Sequence, residues 1–179
     1  RMLFGVDVLQ LVGVTFLGVS PTLIRALQPH GSEHARRHDL TRLRAFGSTG
    51  EPWNPEPYRW LSEEIGEGLR PIINISGGTE VGACFLACDV SIPIRPCSLG
   101  RPALGMAIDV YDADGRAVRG EVGELVCTKP WPAMTRGLWQ ADDRFHESYW
   151  ARFPGVWTHG DWALRDDDGA WFLFGRSDD

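Results

Sequence analysis

Lysine is almost missing. Only one of the 18 basic side chains among the 179 residues is a lysine, Lys129, so chemistry that needs a lysine must use that residue or one supplied from elsewhere. Basic residues are outnumbered by 24 acidic ones, for a net charge of −6. That balance disfavours a pure nucleic-acid binder, which needs an excess of cations against phosphate. The four cysteines (Cys84, Cys88, Cys97, Cys127) form no C-x-x-C pair and no Cys/His set with zinc-site spacing. Reduced, mostly buried thiols in a cytoplasmic protein are expected. No long apolar run is present: the stretch from Met2 to Val19 is interrupted by Asp7 and Gln10 and is followed by no small-residue cleavage site. This argues for a buried helix and strand, not a signal peptide or a membrane span. A low-complexity tract is also missing, because the 21 glycines and 12 prolines are scattered while eight Trp and eight Phe provide core-forming surface; disorder is therefore excluded. There is no Walker A motif, no G-x-G-x-x-G, no H-E-x-x-H, no heptad and no internal repeat.

What is there falls into two patterns. Up to about residue 95, short apolar runs alternate with helical stretches: Val14 to Val19, a helix capped by Ser20 with Pro21 at its first position, Leu43 to Phe46, a helix after Glu51-Pro52, and Pro71 to Ile75. Strands alternating with helices predict βαβ units and a parallel sheet. From residue 96 onward the pattern becomes short strands broken by turns: Ala107 to Tyr111, Glu124 to Thr128, Val156 to His159, Trp162 to Arg165 and Ala170 to Phe174. Asp114-Gly115 and Asp168-Gly169 sit at hairpin positions, where glycine supplies a positive φ. The expected fold class is α/β, with a parallel βαβ lobe over 1–95 followed by a small antiparallel, barrel-like β lobe over 96–179.

Three constellations could carry chemistry. Asn74-Ile75-Ser76-Gly77-Gly78-Thr79-Glu80 lies at the C-terminal end of a predicted parallel strand, where open α/β sheets bind ligands. Its glycines let backbone N–H groups approach an anion, Thr79 offers a hydroxyl to a phosphate oxygen, and Glu80 could hold a hard cation such as Mg²⁺. The bland alternative is a glycine turn leading into a helix. Gly47-Ser48-Thr49-Gly50-Glu51-Pro52 is a second strand-end loop, in which Ser48 or Thr49 could simply cap the next helix. The third is Thr158-His159-Gly160-Asp161, followed by a turn and Gly175-Arg176. A hairpin turn at 166–169 pairs Asp161 near residue 174, so its carboxylate and the Arg176 guanidinium converge, suited to a ribose cis-diol or equally to a plain surface ion pair. A Ser76/His159/Asp161 hydrolase reading fails at the first glycine of the nucleophile elbow and inverts the usual triad order. His30, His34 and His38, at spacing four, imitate a metal motif; a solvated helix end is expected there.

Taken in order, these segments resemble the adenylate-forming (AMP-binding) superfamily, in particular the acetyl-CoA and acetoacetyl-CoA synthetase branch. The resemblance rests on Val19-Ser20-Pro21-Thr22 with Ile24-Arg25-Ala26-Leu27, on Gly47 to Pro52, on Gly78-Thr79-Glu80, on Gly123-Glu124-Leu125-Val126, on Thr158 to Asp161, and on Gly175-Arg176-Ser177-Asp178-Asp179. It implies a ligase that attacks the α-phosphate of ATP with a carboxylate and passes the acyl group to coenzyme A. By position it implies that Gly50, Glu51 and Pro52 line the adenine site and that Asn74 to Thr79 close over adenine and the α-phosphate. Glu80 would be the Mg²⁺-associated acid, Asp161 and Arg176 would hold the ribose, and Asp178 would be the hinge to a C-terminal domain. One departure stands out: acetate-specific members carry a Trp pair where this chain has Ser76-Gly77, so a carboxylic acid larger than acetate is expected. The lysine-ended phosphate loop and the C-terminal domain with its adenylation lysine are not in these residues, and Lys129 is expected to be a structural strand residue. The chain is therefore expected to be an inactive part of a longer, bacterial and cytoplasmic enzyme of fatty acid metabolism, with neither nucleic acid nor membrane as partner. Two rivals remain: an adenylation module that loads a carrier-protein thiol, and a non-catalytic nucleotide-binding or assembly domain.

Overall fold

The computed structural model describes residues 4–178, so Met2 and Asp179 lie outside the described residues. They divide into two units, one containing residues up to 74 together with 88–97, the other containing 75–87 and 98 onward. The glycine-rich segment after Asn74 thus groups with the second unit.

The first unit runs α1 (Phe4–Val12), β1 (Phe16–Val19), α2 (Pro21–Leu27), a 3₁₀ turn (Gln28–His30), α3 (Glu33–Arg36), β2 (Ala45–Ser48), α4 (Pro55–Trp60) and its π-helical extension (Leu61–Ile65), then β3 (Ile72–Ser76) as far as Asn74. Ser20 caps α2 as expected, its hydroxyl accepting from the Leu23 N–H, with Pro21 opening the helix. The parallel pairing is also as expected: Leu17 lies opposite Phe46, and Phe46 opposite Ile72. Ile24, Leu43, Phe46, Leu61 and Ile72 are buried between these elements. Beside them lies a cavity of about 580 Å³ walled almost wholly by apolar groups, among them Val6, Leu9, Leu23, Leu27 and Trp60. The expectation of a buried first helix is corrected: Leu11 and Val12 of α1 are 84% and 65% exposed, because the helix turns only its Val6–Leu9 side to the core.

In the second unit the end of β3 pairs antiparallel with β4 (Leu86–Ala87), which pairs with β5 (Arg101–Pro102). The β lobe is a four-stranded antiparallel sheet in the order β6 (Ile108–Tyr111), β7 (Val122–Cys127), β8 (Trp157–Arg165), β9 (Trp171–Arg176), with α5 (Asp142–Tyr149) beside it. The separate antiparallel sheet is as expected, its four strands lying in one row from β6 to β9. The two runs anticipated at 156–159 and 162–165 are one continuous strand, β8. Aromatics dominate this core: Trp131 meets Trp157 edge-on and Tyr149 stacks on Trp157 at 4.2 Å. The Trp131 indole N–H donates to the Val81 carbonyl at 2.8 Å, tying the glycine-rich segment to the sheet.

No helix among the described residues is long and apolar enough to cross a membrane. None of the four cysteines is in a disulfide; Cys88 and Cys127 are buried and the other two partly so. Lys129 lies just past the end of β7 and is exposed, not within a strand, and its carbonyl accepts from the Cys127 thiol.

Candidate nucleotide site

In the first unit, β2 and β3 are neighbours with Ser48 opposite Asn74, so their C-terminal ends lie side by side. The loop after β2 takes its form from three features. Gly50 adopts φ +99°, a conformation that a Cβ would strain. Ser48 is buried and accepts from the Trp53 indole N–H at 2.9 Å, so it anchors the loop and does not cap α4, whose N-cap is Asn54. Glu51 accepts from the Thr22 N–H at 2.8 Å in the first turn of α2 and pairs with Arg25. Burial pushes the Glu51 carboxyl up, but the Thr22 and Arg25 bonds outweigh it and hold the group below the usual carboxylate range. Pro52 follows, half-buried, and Asn74 is buried at the end of this unit's share of β3.

The second unit brings together the expected site residues Glu80, Asp161, Arg176 and Asp178. After Ile75 and the buried Ser76, the chain turns at Gly77 and Gly78 into a tight bend, with the Val81 N–H donating to the Gly78 carbonyl at 3.1 Å. The bland alternative, a turn leading into a helix, does not form, because the Phe85 N–H returns to the Ser76 carbonyl at 2.7 Å and starts β4 instead. Thr79 is exposed at the tip. The Glu80 carboxylate folds back over Gly78, filling the space a side chain there would need.

Across the β8–β9 hairpin Asp161 stands directly opposite Arg176 and not the expected residue 174: pairing from the turn starts with Arg165 opposite Trp171, one residue further on, and a bulge between Trp162 and Ala163 adds the second. Arg176 donates from Nη1 to Asp161 at 3.3 Å and from Nε to Asp178 at 2.8 Å. Burial raises the Asp161 carboxyl to about 6, with Arg176 opposing, whereas hydrogen bonding from Arg176 holds Asp178 low. Gly160 has φ +82°, and a Cβ there would meet Arg176 Nη2 at 2.6 Å and Asp178 Oδ2 at 2.8 Å. Only glycine lets those two groups lie against the strand.

Behind this tip sits Glu124, which is fully buried. Its oxygens accept from the Gly160 N–H at 3.0 Å and the Ser177 hydroxyl at 2.8 Å, and it pairs with Arg152. It therefore ties β7 to both strands that carry the site. His159, also buried, is held near 4 by desolvation and so is neutral. Its ring meets Phe85 edge-on at 4.8 Å and faces Glu80 and Asp161 from its two nitrogens.

Residues 2–139 match the family of AMP-binding enzymes. The chain belongs to that family. The acetyl-coenzyme A synthetase of Rubrobacter xylanophilus is 38% identical over 175 residues, covering 97% of this chain and 27% of that protein. The acetoacetyl-CoA synthetase of Xenopus tropicalis is 35% identical over 175 residues, covering 96% and 26% respectively. Among solved structures, acetoacetyl-CoA synthetase from Streptomyces lividans has the same fold over 97% of this chain and 27% of that one, with a TM-score of 0.86 at 36% identity. This stretch of an AMP-binding enzyme spans about a quarter of the length of those relatives.

The sequence pattern gave no direct sign of Arg152 or of the anchoring by Glu124 and Ser177, and it offered His159 an individual role only in a hydrolase triad. The available signal was Glu124 itself, an acidic residue inside an otherwise apolar strand, which demands buried partners. The histidine trio separates: His30 ends the 3₁₀ turn, while His34 and His38 approach Asp7. His38 is bonded at both nitrogens, to the His34 carbonyl at 2.8 Å and to Asp7 at 2.6 Å, so an ion pair replaces the solvated helix end expected.

Proposed function

We propose that this part of an AMP-binding enzyme carries the ribose and cation side of the nucleotide site of an ATP-dependent acyl-CoA synthetase. In that reaction a carboxylate oxygen bonds to the α-phosphorus of ATP and pyrophosphate leaves; the thiol sulfur of coenzyme A then bonds to the acyl carbon and AMP leaves. The observation that carries the reading is the facing pair Asp161 and Arg176, braced by Glu124 and set beside Glu80. Asp161, ionised at neutral pH, offers two acceptors to a ribose cis-diol, and Arg176 adds donors. The exposed Thr79 hydroxyl is assigned to a phosphate oxygen, Gly50, Glu51, Pro52 and Asn74 to Gly78 to the adenine side, and Asp178 to the hinge. Glu80 fits a hard cation, being a carboxylate with an oxygen donor and about a quarter of its side chain open to solvent. Mg²⁺ held there would neutralise phosphate charge.

The acid is inferred to be larger than acetate because Ser76 and Gly77 stand where the acetate-specific enzymes that the chain resembles carry a Trp pair. A Cβ on Gly77 would run into the Ala83 carbonyl and approach Cys84 Cα at 3.1 Å, so Gly77→Trp would also displace backbone. The acid profile of the unaltered enzyme is therefore the cleaner test. Lys129, exposed beyond β7, does not serve as the adenylation lysine, and these residues alone are inferred to be inactive. Four cysteines outside any disulfide fit the reducing cytoplasm.

Pyrophosphate exchange by the full-length protein across a panel of carboxylic and amino acids is expected to be supported best by an acid longer than acetate, with a CoA thioester as product. Asp161→Asn should weaken nucleotide binding on the order of tenfold, the cost of one charge-assisted hydrogen bond. Absence of exchange with every acid would overturn the ligase reading in favour of a binding domain. Transfer to a carrier protein but not to CoA would point to the carrier-loading module, and best exchange with acetate would remove the substrate inference.

A further inference from the structure

We infer that His159 is a positioning residue of the nucleotide site, its buried imidazole fixing the Glu80 carboxylate through Nδ1–H. The inference rests on the assignments of Glu80 and Asp161 just made. His159 is only 4% exposed, and its Nδ1 has no hydrogen-bond partner within the protein. A buried ring nitrogen left unpaired is costly and calls for a reason. That nitrogen lies 3.6 Å from Glu80 Oε1, and Nε2 lies 3.7 Å from Asp161 Oδ2, so a shift of a few tenths of an ångström closes either contact. A neutral imidazole has a single N–H and can serve one acid. Asp161 already takes Arg176, which leaves the N–H for Glu80.

The ring is the rigid partner of the two. The next residue in β8, Gly160, is pinned by Glu124, and Phe85 meets the imidazole edge-on at 4.8 Å, so its plane is set by the core. Glu80, by contrast, is a side chain on a bend, free to lie over Gly78 only because that residue has no Cβ. An acid on such a bend gains a fixed direction from a donor held in the sheet. The charged groups around the ring are Glu80, Asp161, Arg176 and Asp178, and only Glu80 comes from outside the β8–β9 hairpin.

The test uses the full-length enzyme with His159→Asn, which keeps a donor near the Nδ1 position, His159→Gln, which moves it toward Nε2, and His159→Leu, which removes it. Mn²⁺ affinity in the presence of a non-hydrolysable ATP analogue is read by electron paramagnetic resonance, and AMP affinity is read without metal. The Gln and Leu variants should lose about tenfold or more in Mn²⁺ affinity, the usual effect of deleting a group that orients a metal ligand, while Asn stays within about threefold and AMP affinity changes little in all three. Glu80→Gln combined with His159→Leu should be no weaker than the more affected single variant. Equal losses for Asn and Gln, wild-type Mn²⁺ affinity in the Leu variant, or additive losses in the double variant would each overturn the inference. Should Glu80→Gln by itself leave Mn²⁺ affinity unchanged, the cation assignment fails instead. Crystal structures of His159→Asn and His159→Gln then decide the link: Glu80 displaced only in the Gln variant supports it, and Glu80 unmoved in both overturns it.

Discussion

Glu51 and Glu124 are both glutamates paired with an arginine, one in each unit, and they do opposite work. Glu51 keeps 30% of its side chain exposed and Arg25 keeps 38%, and together they fasten a loop to the first turn of α2. Water stands ready to replace either partner, so the pair directs a loop more than it stabilises the fold. Glu124 has no exposed surface and takes donors from Arg152, the Gly160 backbone and Ser177. Its desolvation is tolerable only because each bond is present, and the strand tips bearing Asp161 and Arg176 are held as a result. The same residue type serves a replaceable contact in one region and a keystone in the other, and burial makes the difference.

The contrast breaks most readily at Glu124. Glu124→Ala should cost about 3 kcal/mol in denaturant unfolding, since it strands the Gly160 N–H and the Ser177 hydroxyl. A loss below about 1 kcal/mol would mean that solvent reaches the site. The two glycines sharpen the comparison next. Gly160→Ala should cost about 2 kcal/mol and weaken nucleotide binding, because the methyl group meets Arg176 and Asp178 as well as an unfavourable φ. Gly50→Ala, with open space around its Cα, should cost only the backbone penalty of about 1 kcal/mol. Glu51→Gln comes next, at less than about 1 kcal/mol in the same measurement, and raising the salt concentration should reduce it further.

The smallest effect concerns His38. Its backbone bond to His34 and its contact with Asp7 raise its pKa above 6.5 in the folded protein. The protonated pair therefore stabilises fully below pH 6.5, and that contribution is lost as pH rises through the folded-state value. Thermal midpoints of the wild type should fall slightly relative to those of His38→Gln across that window, and parallel curves for the two proteins would exclude the pair as a contributor.

Much of the fold was legible because it follows from local rules. Ser20-Pro21 opens α2, and the parallel strands and the two Asp-Gly turns fall where the patterning places them. Segments whose outcome depends on a distant partner were not legible. The stretch after Gly78 reads as a helix start until the Phe85 N–H finds the Ser76 carbonyl, and the apolar first helix reads as buried although one side of it faces solvent. Ser48 looks like a cap by position, yet Trp53 claims its hydroxyl.

The residue order alone determined the family and the types of group at the proposed site, since Thr79-Glu80, Asp161 and Arg176 stand in recognisable local motifs whose chemistry is fixed by the side chains themselves. Only the tertiary structure decided how those groups are held. Glu124 meets Gly160 and Ser177 from 36 and 53 residues away, and His159 faces Glu80 from another part of the chain altogether. Contacts of that kind depend on which strands pair and in what register, a property of the packed sheet that no local pattern encodes.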